Sequence, residues 1–104
     1  MKNSADPSNI KTVHAALQAY RHSIGKETNR HHYQNENRLM SFAMNGDSKV
    51  LFSVRHASHH EVNLYRRVVC MNRRLIHAQI AYGIRKLTCR AFVERHLAKA
   101  QETK

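Results

Sequence analysis

The stretch that decides the fold runs from residue 59 to residue 82 and reads HHEVNLYRRVVCMNRRLIHAQIAY. Two interpretations fit it. In the first, Ser58 and Glu61 form a capping box and one long helix continues to the end of the stretch on an apolar stripe. In the second, residues 66–71 form a strand, because two adjacent valines favour extended structure, and a helix over 73–84 follows. Periodicity alone does not separate the two interpretations.

The second interpretation gives the last third of the chain a simple order of strand, helix, turn and helix. Asn72 is expected to cap the first helix, residues 83–87 to form a turn, and Thr88 to cap a second helix over 88–97. Basic side chains mark the strand and both helix starts. We expect this unit to bind DNA, because a two-stranded ribbon is one of the few elements that fit the major groove.

The first half of the chain predicts one helix and one hairpin. An Asp-Pro start and apolar side chains at helical spacing predict a helix over residues 6–24, with Asp6 as its N-cap. Residues 26–37 have no apolar period and read as a polar connection. An Asn-Gly pair at 45–46, followed by alternating apolar and polar residues, predicts a β-hairpin over residues 38–55.

Composition points to a single basic domain over residues 1–104. Lys and Arg number 18 against 7 acids, a formal charge of +11, and such an excess favours a polyanionic partner, nucleic acid above all. No apolar run is long enough to span a bilayer, so we expect no membrane partner. Residues 1–9 lack an apolar stretch, which predicts no secretory signal. Two cysteines are too few for a disulfide framework, and a reduced, cytoplasmic setting is expected.

Residues 66–100 resemble the ribbon-helix-helix superfamily of DNA-binding proteins, which includes MetJ and Arc. The matching parts are the strand 66–71, Asn72, Leu75, the turn 83–87, Thr88 and the pair Phe92-Val93. The resemblance implies an obligate homodimer in which one strand from each chain pairs antiparallel and enters the major groove of double-stranded DNA. The fold class expected from all these elements is α+β, mostly helical: an N-terminal helix, a β-hairpin and a dimeric ribbon-helix-helix-like unit.

The resemblance also assigns roles to individual residues. Arg66, Val68 and Cys70 would face the groove, with Arg66 as the strong hydrogen-bonding reader, and Val69 and Met71 would face the core. The start of the second helix, with Lys86 and Thr88, would hold a DNA phosphate. The further candidates for DNA contact are Arg67, Arg73, Arg74, Lys86, Thr88 and Arg90.

A second register of the same hypothesis uses the strand 49–55, which alternates better than 66–71. Ser53 and Arg55 would then point outward, so Arg55 is also a candidate DNA-binding residue. This register requires a first helix of about twice the usual length, and both registers stay open.

Chemistry other than binding finds little support in the sequence. Cys70 and Cys89 do not stand in the pairs that zinc sites prefer, and the nine histidines read as surface or loop residues. No glycine-rich phosphate loop, carboxylate pair or nucleophile elbow is present. We therefore expect no catalytic residues, no metal, no cofactor and no small-molecule substrate.

These observations together predict a sequence-specific double-stranded DNA-binding transcriptional regulator that is homodimeric and cytoplasmic. Small basic regulators of this kind are common on plasmids and phages. The alternative is a phage or plasmid accessory protein that modulates a host complex by protein–protein contact.

Overall fold

Four helices account for most of the described chain, which in this computed structural model is residues 9–102, with side chains described for residues 9–100. They are α1 (Ile10–Ser23), α2 (Arg30–Asn45), α3 (His59–His77) and α4 (Tyr82–Glu102), with a short 3-10 turn, Val54–His56, ahead of α3. No strand occurs between residues 9 and 102. The α+β fold class was therefore wrong, and this part of the chain is all-helical.

The N-terminal helix lies inside the range expected for it, but with a different start. Asn9 is the N-cap of α1, and its side-chain oxygen accepts a hydrogen bond of 2.9 Å from the Lys11 N–H. The predicted cap, Asp6, lies outside the described residues. At the other end Gly25 has a φ of 75°, the left-handed conformation that commonly closes a helix.

Residues 38–55 do not form the predicted hairpin, because their first part belongs to α2. Leu39, Met40 and Ala43 are fully buried at helical spacing. The Asn-Gly pair ends the helix instead of turning a hairpin: Gly46 has a φ of 78°, and its N–H donates to the Phe42 carbonyl. A glycine at positive φ serves a hairpin turn and a helix C-terminus equally well, so the pair could not distinguish them.

The alternating segment 49–55 is a loop and a 3-10 turn, so the rival strand was wrong as well. Val50 and Val54 are about half exposed instead of sharing a buried face. Phe52 anchors the loop: its ring stacks on Tyr65 at 5.0 Å, and its N–H donates to the Ser41 hydroxyl. An aromatic contact and side-chain hydrogen bonds, and not a sheet, hold this segment to the helices.

Residues 66–71 are helical, so the strand was wrong. The first interpretation was correct in running one helix from residue 59 through this segment, but wrong in its end, because α3 stops at His77 and not near Tyr82. The capping box is present, with the Ser58 hydroxyl accepting from the Glu61 N–H and the Glu61 carboxylate accepting from the Ser58 N–H. Val68 and Val69 are both fully buried within α3. Their packing in the core outweighs the small helix penalty of β-branched residues.

The turn and the second cap expected in the last third were also misplaced. α3 ends at His77 and residues 78–81 connect it to α4, so the helix expected over 73–84 spans this connection and was wrong. Residues 83–87 lie inside α4 and form no turn. Thr88 caps nothing, because it is in the interior of α4 and its hydroxyl donates to the Ile84 carbonyl at 2.7 Å.

The helices alternate in direction around a shared core. α1 packs mainly on α3, and α2 mainly on α4. α2 and α4 run in the same direction, since Glu36 contacts Arg85 and, further along both helices, the Ala43 carbonyl contacts Arg90. The radius of gyration, 14.0 Å, is close to the roughly 13 Å expected for a compact chain of this length. The core residues are Val13, Ala16, Leu17, Leu39, Met40, Ala43, Leu64, Val68, Val69, Ile76, Cys89 and Val93.

Gln79 closes α3 in a conformation that normally requires glycine. Its φ of 63° is the one positive value at a non-glycine residue between positions 9 and 102, and the Ile80 N–H donates back to the Leu75 carbonyl, as in a Schellman motif. We expect Gln79→Gly to raise the free energy of unfolding by about 0.5–1 kcal/mol in urea titrations, because the strain of the left-handed backbone is relieved. The matched control, Gly25→Ala, introduces the same strain and should lower it. A Gln79→Gly protein less stable than wild type would contradict the prediction.

Candidate nucleic-acid interface

The outward side of α3 carries a row of basic and polar side chains. At 100° per residue, positions 59, 63, 66, 67, 70, 74 and 77 share one side of the helix. All of them are exposed except Cys70, which is half-buried. We call this surface the basic face of α3, formed by His59, Asn63, Arg66, Arg67, Arg74 and His77. At 1.5 Å per residue it is about 27 Å long.

The basic face of α3 contains no carboxylate. Glu61 is the one acid in this helix, and it lies about 200° around the axis from Asn63, where its carboxylate caps the Ser58 N–H. Salt bridges elsewhere in the described chain do not involve the arginines of this face. Its positive charge is therefore not neutralised by neighbouring side chains.

The three arginines of the basic face surround an open groove between α3 and α4. Arg66, Arg67 and Arg74 line it together with Phe92 and other side chains, and its volume is about 460 Å³. The Arg67 guanidinium carbon lies 5.9 Å from the centre of the Phe92 ring, within range of a cation–π contact. This contact orients one guanidinium beside the groove, while Arg66 and Arg74 stay exposed to solvent.

Two other predicted DNA-binding residues, Lys86 and Arg90, contact α2 from α4. The Lys86 ammonium lies 4.7 Å from the centre of the Phe42 ring. Arg90 donates from Nη1 to the Ala43 carbonyl at 2.9 Å, and its Nε lies 3.3 Å from the Glu94 carboxylate. Both side chains are half-buried. The start of a second helix, at which Lys86 and Thr88 were expected to hold a phosphate, does not exist at this place.

Of the remaining candidates, one precedes α3 and the others lie within it. Arg55 is exposed in the 3-10 turn that leads into the helix. Arg73 is half-buried, and its Nε is buried without a hydrogen-bond partner among the described residues. Val68 is fully buried, so the groove-facing row of Arg66, Val68 and Cys70 was wrong: alternate residues share a face in a strand, but not in a helix.

Three buried polar side chains join α2, α3 and α4 beneath this surface. Arg85 donates from Nη1 and Nη2 to the two carboxylate oxygens of Glu36, at 2.7 and 2.9 Å. Asn72 accepts from Arg85 Nη1 at 2.8 Å and donates to Glu36 at 3.0 Å. All three are at most 4% exposed. We call this arrangement the buried triad; sequence reasoning missed it, placing Glu36 in a polar connection and Asn72 at a helix cap.

Cys89 lies in the core between the triad and Val93, and burial raises the pKa of its thiol to about 12. The ordinary pKa of a cysteine thiol, which applies to the unfolded chain, is near 9.0. Above that pH the unfolded state loses a proton that the folded state keeps, so the free energy of unfolding should fall as pH rises from about 9 to about 12. Urea titrations over this range should show a shallower fall for Cys89→Ala. An equally steep fall in both proteins would refute the assignment.

Comparison with protein-family models, with curated proteins and with solved structures finds no match for this chain. Within residues 9–102, no helix combines the length and the apolar character needed to cross a membrane. Over the same part of the chain, no three His, Cys, Asp or Glu side chains are grouped closely enough to hold a metal ion. The candidate site therefore rests on charge and geometry.

Proposed function

We propose that this protein binds double-stranded DNA through the basic face of α3. The observation that carries the proposal is the uninterrupted positive charge of Arg66, Arg67 and Arg74 on one exposed helix side without a carboxylate. A helix with its side chains is about 10–12 Å across, and the major groove of DNA is about 12 Å wide. Arginines on such a helix can contact phosphates on both edges of the groove.

Two features favour double-stranded over single-stranded nucleic acid. Single-strand binders offer aromatic rings on which bases stack, whereas the ring beside the basic face, Phe92, is half-buried and already in contact with Arg67. The face also carries Asn63 among its arginines, and both side-chain types can make bidentate contacts with base edges. We place base reading on Asn63 and Arg66 and phosphate contact on Arg67 and Arg74, which is the arrangement a transcriptional regulator requires.

A binding titration tests this proposal. Fluorescence anisotropy with a random duplex and with single strands of the same sequence, over a salt series, should give tighter binding to the duplex and a linear dependence of log K on log salt. Selection from a random duplex pool should then enrich a shared sequence motif. Binding that is weak and equal for duplex and single strands would refute the proposal, and selection without enrichment would refute sequence reading.

The homodimer and the cytoplasmic setting stay predictions of this proposal. Without a ribbon, the surface best suited to pairing two copies is the outward side of α4, where Ile84 and Leu87 are 60% and 66% exposed and Ala91 continues the row at helical spacing. Light scattering at micromolar concentration should show a dimer that Leu87→Glu converts to a monomer. A wild-type monomer would contradict the homodimer and favour the exposed row as a contact site for a different protein.

A further inference from the structure

A cavity of about 290 Å³ opens at the end of the molecule where α1 finishes, α2 begins and the connection from α3 to α4 passes. Its lining includes residues from all four helices, but none from the basic face of α3. Its size is near the lower limit for small-molecule sites. The cavity is therefore spatially separate from the basic face of α3.

The floor of the cavity contains a buried hydrogen-bond donor without an acceptor. Arg85 has five N–H groups, and four are used: Nε donates to the Ile80 carbonyl, two donate to Glu36 and one to Asn72. The second N–H of Nη2 has no acceptor among residues 9–100. In a planar guanidinium it lies on the same edge as the Nε–H, which points to Ile80 in the cavity wall.

A buried donor of this kind is costly to leave unmatched. Arg85 is 4% exposed and Glu36 1% exposed, and both residues line the cavity. The Glu36 charge is already compensated by Arg85 and Asn72. A ligand oxygen placed against Nη2 would accept the remaining hydrogen bond without meeting an uncompensated carboxylate.

The rim of the cavity adds further donors. Arg21 uses its Nε on the Glu27 carbonyl at 2.9 Å, which leaves both terminal nitrogens without an acceptor within the described residues. His32 accepts at Nδ1 from the Asn29 N–H at 3.0 Å, so its ring donates from Nε2. Desolvation by burial and the electrostatic influence of Arg21 and His31 lower the pKa of His32. Arg21 therefore supplies the permanent charge at the rim.

The walls between floor and rim are apolar and aromatic. The rings of Tyr20 and Tyr82 line the cavity, as do Leu17 and Ile76. The Tyr82 hydroxyl is occupied, since it donates to the Asn35 carbonyl at 3.0 Å. The lining as a whole offers an apolar slot with a donor at its floor and a cation at its rim.

We infer that this cavity is a binding site for a small organic carboxylate with an aromatic or branched apolar body. The body lies between Tyr20 and Tyr82, and the carboxylate accepts hydrogen bonds from the Arg85 Nη2 and the Arg21 guanidinium. This inference goes beyond DNA binding and does not depend on it.

Benzoate is a suitable probe. Benzyl alcohol and benzylamine, which have the same ring but a neutral and a cationic group, are the control ligands. The amide chemical shifts of the full chain are followed while each ligand is titrated into the millimolar range. The shifts of residues 79–82 should change saturably with benzoate and not with the two control ligands. Arg21→Gln should weaken benzoate binding about tenfold, while the control Arg74→Gln on the basic face should leave it unchanged.

Three results would overturn the inference. The first is the absence of saturable shifts at residues 79–82, and the second is binding of benzyl alcohol as tight as that of benzoate. The third is an equal weakening of benzoate binding by Arg21→Gln and Arg74→Gln, which would indicate attraction to net charge alone. Arg21 lies at the rim and is not part of the buried triad, so its substitution is compatible with folding. Circular dichroism of each variant verifies this before the titration.

Discussion

Replacing Arg85 with leucine is expected to lower the free energy of unfolding by about 3–5 kcal/mol, because it leaves the Glu36 carboxylate buried without its partner. The change also removes the donor that holds the Asn72 amide. A domain of this size has a total stability of roughly 5–15 kcal/mol, so the variant should be mostly unfolded at moderate urea concentration. Urea titration followed by circular dichroism measures the loss.

Two control variants distinguish the effect of removing the charge partner of Glu36 from the effect of an arginine-to-leucine substitution in general. Arg95→Leu makes the same substitution at an exposed position of α4 and should change stability by about 0.5 kcal/mol or less. The double variant Glu36→Leu/Arg85→Leu removes both charges and should recover much of the loss, since apolar replacement of a buried ion pair is often tolerated. A double variant as unstable as Arg85→Leu would show that packing, and not the uncompensated charge, causes the effect.

The largest expected effect on binding comes from the triple variant Arg66→Gln/Arg67→Gln/Arg74→Gln. Because Arg67 and Arg74 are the proposed phosphate contacts and Arg66 the base contact, the triple change should reduce the slope of log K against log salt by about 2 and weaken duplex binding by more than roughly tenfold at low salt. Fluorescence anisotropy over a salt series measures both quantities. All three side chains are exposed, so the melting temperature should change little.

The matched control removes the same number of charges elsewhere. Lys26→Gln/Arg30→Gln/Arg38→Gln changes three exposed cations, one in the connection before α2 and two within α2, and leaves the basic face of α3 intact. We expect it to bind duplex with nearly the wild-type slope. Equal losses in both triple variants would mean that net charge, and not the α3 surface, determines binding.

Local signals in the sequence predicted some elements well. The apolar spacing placed α1, and the Ser58–Glu61 capping box marked the start of α3. The errors came where one signal serves two structures: Asn45-Gly46 ends a helix here but could have turned a hairpin, and Val68-Val69 is compatible with a strand or a buried helix side. Only contacts with the other helices decide between these outcomes, and those contacts are not local in sequence.

In the candidate site, too, local signals in the sequence were informative and contacts between distant residues were not predicted. Clustered charge singled out Arg66, Arg67 and Arg74, which are exposed and line one groove, while their role in binding stays a prediction. It could not distinguish them from Arg85, whose partner Glu36 lies 49 positions earlier in a segment that looks like a polar loop. Glu36 does stand at helical spacing from the buried Leu39 and Met40, which was the one available sign that residues 30–45 form a helix with a buried acid.

The buried triad also bears on the order in which the chain can fold during synthesis. A nascent chain that has emerged only as far as α3 contains Glu36 and Asn72 but not Arg85, so the carboxylate would have to stay hydrated or be buried alone. Hydration favours an open arrangement of the first three helices until α4 leaves the ribosome. Final closure should therefore be a late event, and a chain stalled before residue 85 should present its apolar surfaces to chaperones or proteases.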